Sequence, residues 1–206
     1  MQINIKADTK RLAKDIDAIH KRQIPFATHR AINATLFDVQ RELKRQAPNK
    51  IDRPTPFTLR GFQVIKSKNK QNLTGEVYFN RKYAEIIVEG GMQTPDAGRS
   101  AFLTPTKYKK KNRYGNISKA QMSKIKTDKA KYFFGVPKGR TGSAYAGVWE
   151  RIGKNPTKKI RQVARYEGGR SRPKTLPFYL IAQGKAQAVF DGHFSNELAK
   201  AIRNAR

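Results

Sequence analysis

Between Ile24 and Gln46 the stretch IPFATHRAINATLFDVQRELKRQ sets Ile32, Leu36, Val39 and Leu43 at spacings of four, three and four, one stripe of an α-helix. Pro25 suits the first turn, where its missing N–H would have had no intrahelical partner, and Pro48 is expected to push Ala47 out of helical geometry and close the helix. Arg30, Asn33, Asp38, Arg41, Glu42 and Arg45 fill the outer face, where ion pairs are solvated and worth little. The reading is a core scaffold helix whose stripe Ile32, Leu36, Val39 and Leu43 covers a neighbouring surface.

Ahead of it, Ile3 and Ile5 alternate with polar residues across Gln2 to Ala7, the period of a half-buried strand. Asp8 can cap a short helix from Thr9 to Lys21 with Leu12, Ile16 and Ile19 as its apolar stripe. After Pro48 the segment NKIDRPTPF has no period and reads as an extended connector. Gly61 to Lys66 and Leu73 to Phe79 alternate around a polar turn and predict a β-hairpin packed on the long helix. Tyr83, Ala84, Ile87 and Val88 predict a short helix stopped by Gly90 or Gly91. Lys131 to Pro137, Ala144 to Ile152 and Lys159 to Tyr166 predict three more strands, able to extend the hairpin into one antiparallel sheet. Pro177 to Arg206 predicts a closing helix through Ile181, Ala188, Phe194, Leu198, Ala201 and Ile202, weakened at Gly184 and Gly192, with a bend expected near Gly192. The fold class is therefore α+β: an antiparallel sheet on one long helix, in a single domain over residues 1–206 with a basic arm or insertion at about 105–131.

Charge changes this picture in one region. The chain has 44 Lys and Arg against 15 Asp and Glu, a formal net charge of +29, which calls for an anionic neighbour to relieve self-repulsion. From Pro105 to Thr175 there are 21 Lys and Arg against only Asp128, Glu150 and Glu167. Lys107, Lys109, Lys110, Lys111, Arg113, Lys119, Lys124, Lys126, Lys129 and Lys131 are the candidate partner or DNA contacts, on an exposed arm or weak helix that orders against that partner. Their interleaving with Tyr108, Tyr114, Tyr132, Phe133 and Phe134 is the pattern of binders that neutralise a phosphate backbone and stack bases. Charge alone does not separate phosphate from carboxylate partners.

Catalytic chemistry finds little support. His20, His29 and His193 lack a metal-ligand spacing, there is no cysteine, and GVPKGRT from Gly135 to Thr141 does not fit the phosphate-loop spacing. Glu85 and Glu89 share a helix face, where such pairs are usually just solvated. No enzyme, cofactor or metal is expected. No apolar run reaches membrane-spanning length, and neither a signal-peptide pattern nor a disulfide is present, so assembly inside a cell is expected.

The order of features resembles the minor tail protein Z family and the related head-to-tail joining proteins of tailed bacteriophages. The resemblance rests on the opening strand with IPFATHRAINATLFDVQREL, on Tyr83 to Gly91 followed by AFLTP (Ala101 to Pro105), and on GVWERIG (Gly147 to Gly153) followed by LPFY (Leu176 to Tyr179) and a terminal helix. It implies a non-enzymatic virion protein of the tail or neck that works as copies in a ring around the DNA path. Its partners would be itself, other tail, neck or portal proteins and the genomic DNA, with no membrane. The segment Lys107 to Lys131 has no counterpart in that pattern and reads as an insertion. A free basic nucleic-acid-binding protein is the alternative.

Overall fold

The computed structural model describes residues 14, 16–17, 19–95, 101–153 and 159–204. The expected strand from Gln2 to Ala7 and Leu12 of the expected Thr9–Lys21 helix lie outside them. In chain order, a π-helical turn Ile19–Gln23 leads into α1 (Ile24–Lys50), followed by α2 (Pro56–Leu59), β1 (Phe62–Ile65), β2 (Glu76–Phe79), α3 (Ala84–Glu89), β3 (Gly91–Gln93), β4 (Phe102–Pro105), α4 (Lys119–Thr127), β5 (Tyr132–Gly135), β6 (Gly147–Ile152), β7 (Lys159–Glu167), β8 (Arg170–Arg172) and α5 (Phe178–Arg203). The class is α+β, with antiparallel pairing throughout. The chain divides into two compact units: a helical unit of the described residues up to Lys50, with Pro56–Ala84 and those from Leu176 onward, and a sheet unit of Ile51–Thr55 and Glu85–Thr175.

In the helical unit α1 pairs with α5 and carries the β1–β2 hairpin. Pro48 does not end α1, which runs on through Ala47 to Lys50. So close to the C-terminus a proline removes a single hydrogen bond, and burial of Ala47 opposes unwinding there. Burial follows Ala27, Ala31, Thr35, Val39, Leu43 and Ala47, one residue every turn, whereas Ile32 and Leu36 are half-buried. Small side chains along that line allow close approach, which a search for large apolar residues does not detect. Leu36 lies on the hairpin instead: its Cδ1 is 2.5 Å from the place a Cβ on Gly75 would occupy.

Polar bonds fix the registers in this unit. Arg30 bonds Glu197 at 2.5 Å and Asp38 meets His193 at 2.8 Å, a descending order along α5 that makes the two helices antiparallel. Burial pushes the Asp38 carboxyl up, but the hydrogen bonds from His193 and Arg41 outweigh it and hold the group below its ordinary value. Gln40 donates to the Phe62 carbonyl at 2.7 Å, and the buried Ser67 donates its N–H to Asn33 at 2.9 Å while its hydroxyl lies 3.1 Å from His29. Phe62 stacks on Phe79 at 4.4 Å between ring centroids. Helix α5 runs as one element past Gly192, burying Ile181 and Ala201 but leaving Ala188 and Ile202 exposed.

The sheet unit holds a four-stranded sheet in the order β4-β7-β6-β5 and a separate β3–β8 pair. The last three predicted strands are found at β5, β6 and β7, but they do not extend the hairpin. They form a meander that takes β4 on its other edge, with Phe102 opposite Glu167 and Pro105 opposite Ala164. Proline is tolerated on such an edge because its missing N–H faces away from the ladder. The core comprises Ile125, Tyr132, Val148, Val163 and Ala164, with Leu103 and Ile117 packed against it. Gly90, at φ 78°, ends α3 in the left-handed region, as expected of a glycine stop.

Candidate anion-binding face

The stretch from Lys107 to Lys131 is not a free arm. Ile117 and Ile125 anchor it in the core of the sheet unit, and two such anchors eight residues apart suffice to dock a loop and a helix. Ser118 caps α4, its hydroxyl accepting from the Gln121 N–H at 3.3 Å, and the Asp128 carboxylate accepts from the Lys131 N–H at 2.9 Å beyond the helix end. Before the helix, the Asn112 side chain accepts from the N–H groups of Tyr114 and Asn116, each at 3.0 Å, closing a tight loop with Gly115 at φ 80°. Short-range polar bonds thus fix the backbone that carries the basic residues.

Nine of the ten predicted contacts, Lys107, Lys110, Lys111, Arg113, Lys119, Lys124, Lys126, Lys129 and Lys131, are exposed, and Lys109 is half-buried. Two are engaged from within. Lys109 donates to the Tyr132 hydroxyl at 3.1 Å, and Lys131 lies 3.4 Å from the Glu150 carboxylate. Glu150, only 5% exposed, also bonds Arg161 at 2.8 Å and accepts from the Tyr132 hydroxyl at 3.2 Å. Burial pushes its carboxyl up, but Arg161 first, then Lys131 and Tyr132, pull it below its ordinary value. The row Arg161, Glu150, Tyr132 crosses β7, β6 and β5 in register, so one buried carboxylate ties three strands together.

The aromatic residues divide in the same way. Tyr132 is 6% exposed and belongs to the core and the Glu150 cluster, so it is no stacking platform. Tyr108 and Phe134 are open to solvent, 49% and 48% exposed, and Tyr114 and Phe133 are half-buried beneath Arg113 and Arg151. Sequence reasoning missed Arg140, whose guanidinium lies 5.0 Å from the Tyr145 ring and 5.4 Å from Trp149. The signal was available in GVPKGRT, a stretch weighed only as a nucleotide loop. The result is a stretch rich in solvent-facing cations, with cation–aromatic pairs at Arg113, Arg140 and Arg151, suited to phosphate or carboxylate groups.

His29 and His193 are placed in the helical unit with Ser67 and Asp38, while Glu85 and Glu89 are exposed on α3. Among the described residues no three His, Asp or Glu side chains gather as a metal site, and no helix is long and apolar enough to cross a membrane. Comparison with known proteins gave no match to a family model, a curated protein or a solved structure.

Proposed function

We propose that the protein is a structural, non-enzymatic component of a tailed-bacteriophage virion, acting in tail completion or head-to-tail joining as copies in a ring around the DNA path. The observation that carries this reading is the docked basic stretch of the sheet unit, whose loops and α4 present nine exposed cations on an ordered backbone. The motif order supports it as well: IPFATHRAINATLFDVQREL builds α1, AFLTP builds β4, GVWERIG builds β6 and LPFY opens α5. In such a ring the cations would face DNA in the channel or acidic surfaces of neighbouring tail, neck or portal proteins. Localising labelled protein in purified virions tests the proposal, which expects signal at the tail or neck; absence from both would overturn it.

A second reading, a free basic nucleic-acid-binding protein, is favoured by the exposed Tyr108 and Phe134 among the cations. It expects duplex affinity to fall steeply from low to moderate salt as phosphate contacts release counterions, and a shallow dependence would count against it.

A further inference from the structure

The helical unit carries a second surface, separate in kind from the basic face. Along α1, Phe26, Arg30, Asn33 and Phe37 follow at intervals of four, three and four residues, one helical stripe about 16 Å long at 1.5 Å per residue. Unlike the buried line through Ala27 and Ala31, it is open: Phe26 is 43% exposed and Phe37 41%. Two clefts lie along it, of about 450 and 340 Å³, and both are lined by Arg30 and Glu197. Arg22, Lys70 and Lys200 surround the end at Phe26, and Lys66 lies 5.9 Å from the Phe37 ring at the other. Cations thus flank both ends of a trough that has an exposed phenylalanine toward each end and the Arg30–Glu197 ion pair between them.

We propose that this trough on α1 and α5 docks an acidic amphipathic helix of another protein, with apolar side chains against Phe26 and Phe37 and carboxylates toward Arg22, Lys70 and Lys66. Three observations select that occupant. Glu197, the carboxylate in the lining common to both clefts, bonds Arg30 and Lys200 at 2.5 and 2.8 Å, and the cations around it leave the trough net positive, which favours an acidic partner. The exposed rings of Phe26 and Phe37 favour a partner that brings apolar side chains over a bare phosphate backbone. Phe26 and Phe37 stand about 16 Å apart along α1, a span that three turns of a partner helix cover.

The test uses the full chain and a fluorescent amphipathic peptide of about 18 residues, with leucines at intervals of four, three and four and glutamates at both ends. Controls are a scrambled peptide of the same composition and a single-stranded oligonucleotide. Anisotropy at near-physiological salt should show peptide binding that weakens about tenfold or more in Phe26→Ala/Phe37→Ala and also in Arg22→Glu/Lys70→Glu, with circular dichroism unchanged. The scrambled peptide should bind no better than the amphipathic one binds to the phenylalanine variant. Equal binding of the scrambled peptide, undiminished binding to the phenylalanine variant, or an oligonucleotide weakened as much as the peptide would each overturn the proposal. All four substituted side chains are exposed, so folding should survive both variants.

Discussion

Lys109, Lys110 and Lys111 are adjacent in sequence, yet neutralising them should have two separable effects. Lys110 and Lys111 are exposed, and replacing exposed charges away from special features changes stability by less than about 0.5 kcal/mol. Each cation seated on a phosphate contributes about −0.9 to the slope of log affinity against log salt, so Lys110→Gln/Lys111→Gln should flatten that slope by roughly 2. Between 50 and 200 mM salt this amounts to roughly tenfold less loss of duplex affinity. Lys109→Gln should act on the fold instead, because Lys109 donates to the Tyr132 hydroxyl at 3.1 Å and lies 4.9 Å from the ring centroid. A net hydrogen bond plus a partly exposed cation–aromatic contact is worth about 1–2 kcal/mol. The assays are anisotropy of a labelled duplex across a salt series and urea unfolding followed by Trp149, the single tryptophan, buried in the sheet unit. An unchanged slope in the double variant would show that these lysines do not face phosphate and would leave carboxylate partners as their role. A loss above about 1 kcal/mol in that variant would refute the division of the stretch into docked and solvent-facing parts.

Other expectations follow from particular contacts. A Cβ on Gly147 would lie 2.2 Å from the Ala164 carbonyl oxygen and 3.0 Å from Arg165 Cα, both backbone atoms of the neighbouring strand. Gly147→Ala should therefore cost about 1–3 kcal/mol, read as a lower urea midpoint by Trp149 fluorescence, and an unchanged midpoint would contradict the β6–β7 register. The folded-state carboxyl of Glu150 titrates below its ordinary value near 4.5, so its stabilisation is complete above that value and is lost as pH falls through the folded value. Glu150→Gln should remove this part of the acid-side pH dependence and cost about 1 kcal/mol at neutral pH, a modest figure because Arg161 and Lys131 are more than a third exposed. Urea midpoints from pH 3 to 7 check it, since a variant with the parent's full acid dependence would exclude Glu150 as a source. In the helical unit, Leu43→Ala should cost about 2–5 kcal/mol in denaturant unfolding followed by helical circular dichroism, and a loss under about 1 kcal/mol would mean that α1 does not centre that core.

The basic face shows how far residue type carries an argument about function. Its ten cations were legible as a group because charge needs no tertiary context to be counted. Their environments were not, because Ile117 and Ile125 look too sparse to dock a segment until Val148 and Val163 are seen to receive them. Tyr132 fails as a stacking residue for the same reason, since only the sheet places it beneath Glu150. Arg140 acquires its aromatic partners through a chain reversal that brings Tyr145 and Trp149 alongside.

Local pattern alone determined the α+β class, the span of α1 to within a turn, the β1–β2 hairpin, the glycine stop at Gly90 and the strands β5 to β7. Each depends on period, capping or backbone freedom expressed over a few neighbouring residues. Tertiary structure alone decided that Pro48 stays within α1, that Ala27, Ala31 and Thr35 form its buried line, and that β4 joins β7 instead of the hairpin joining the meander. The open stripe from Phe26 to Phe37 is of the second kind as well. A period fixes which residues share a face of a helix, but which face is covered depends on the elements packed against it, and on α1 the covered line runs through small residues while the phenylalanines stay open.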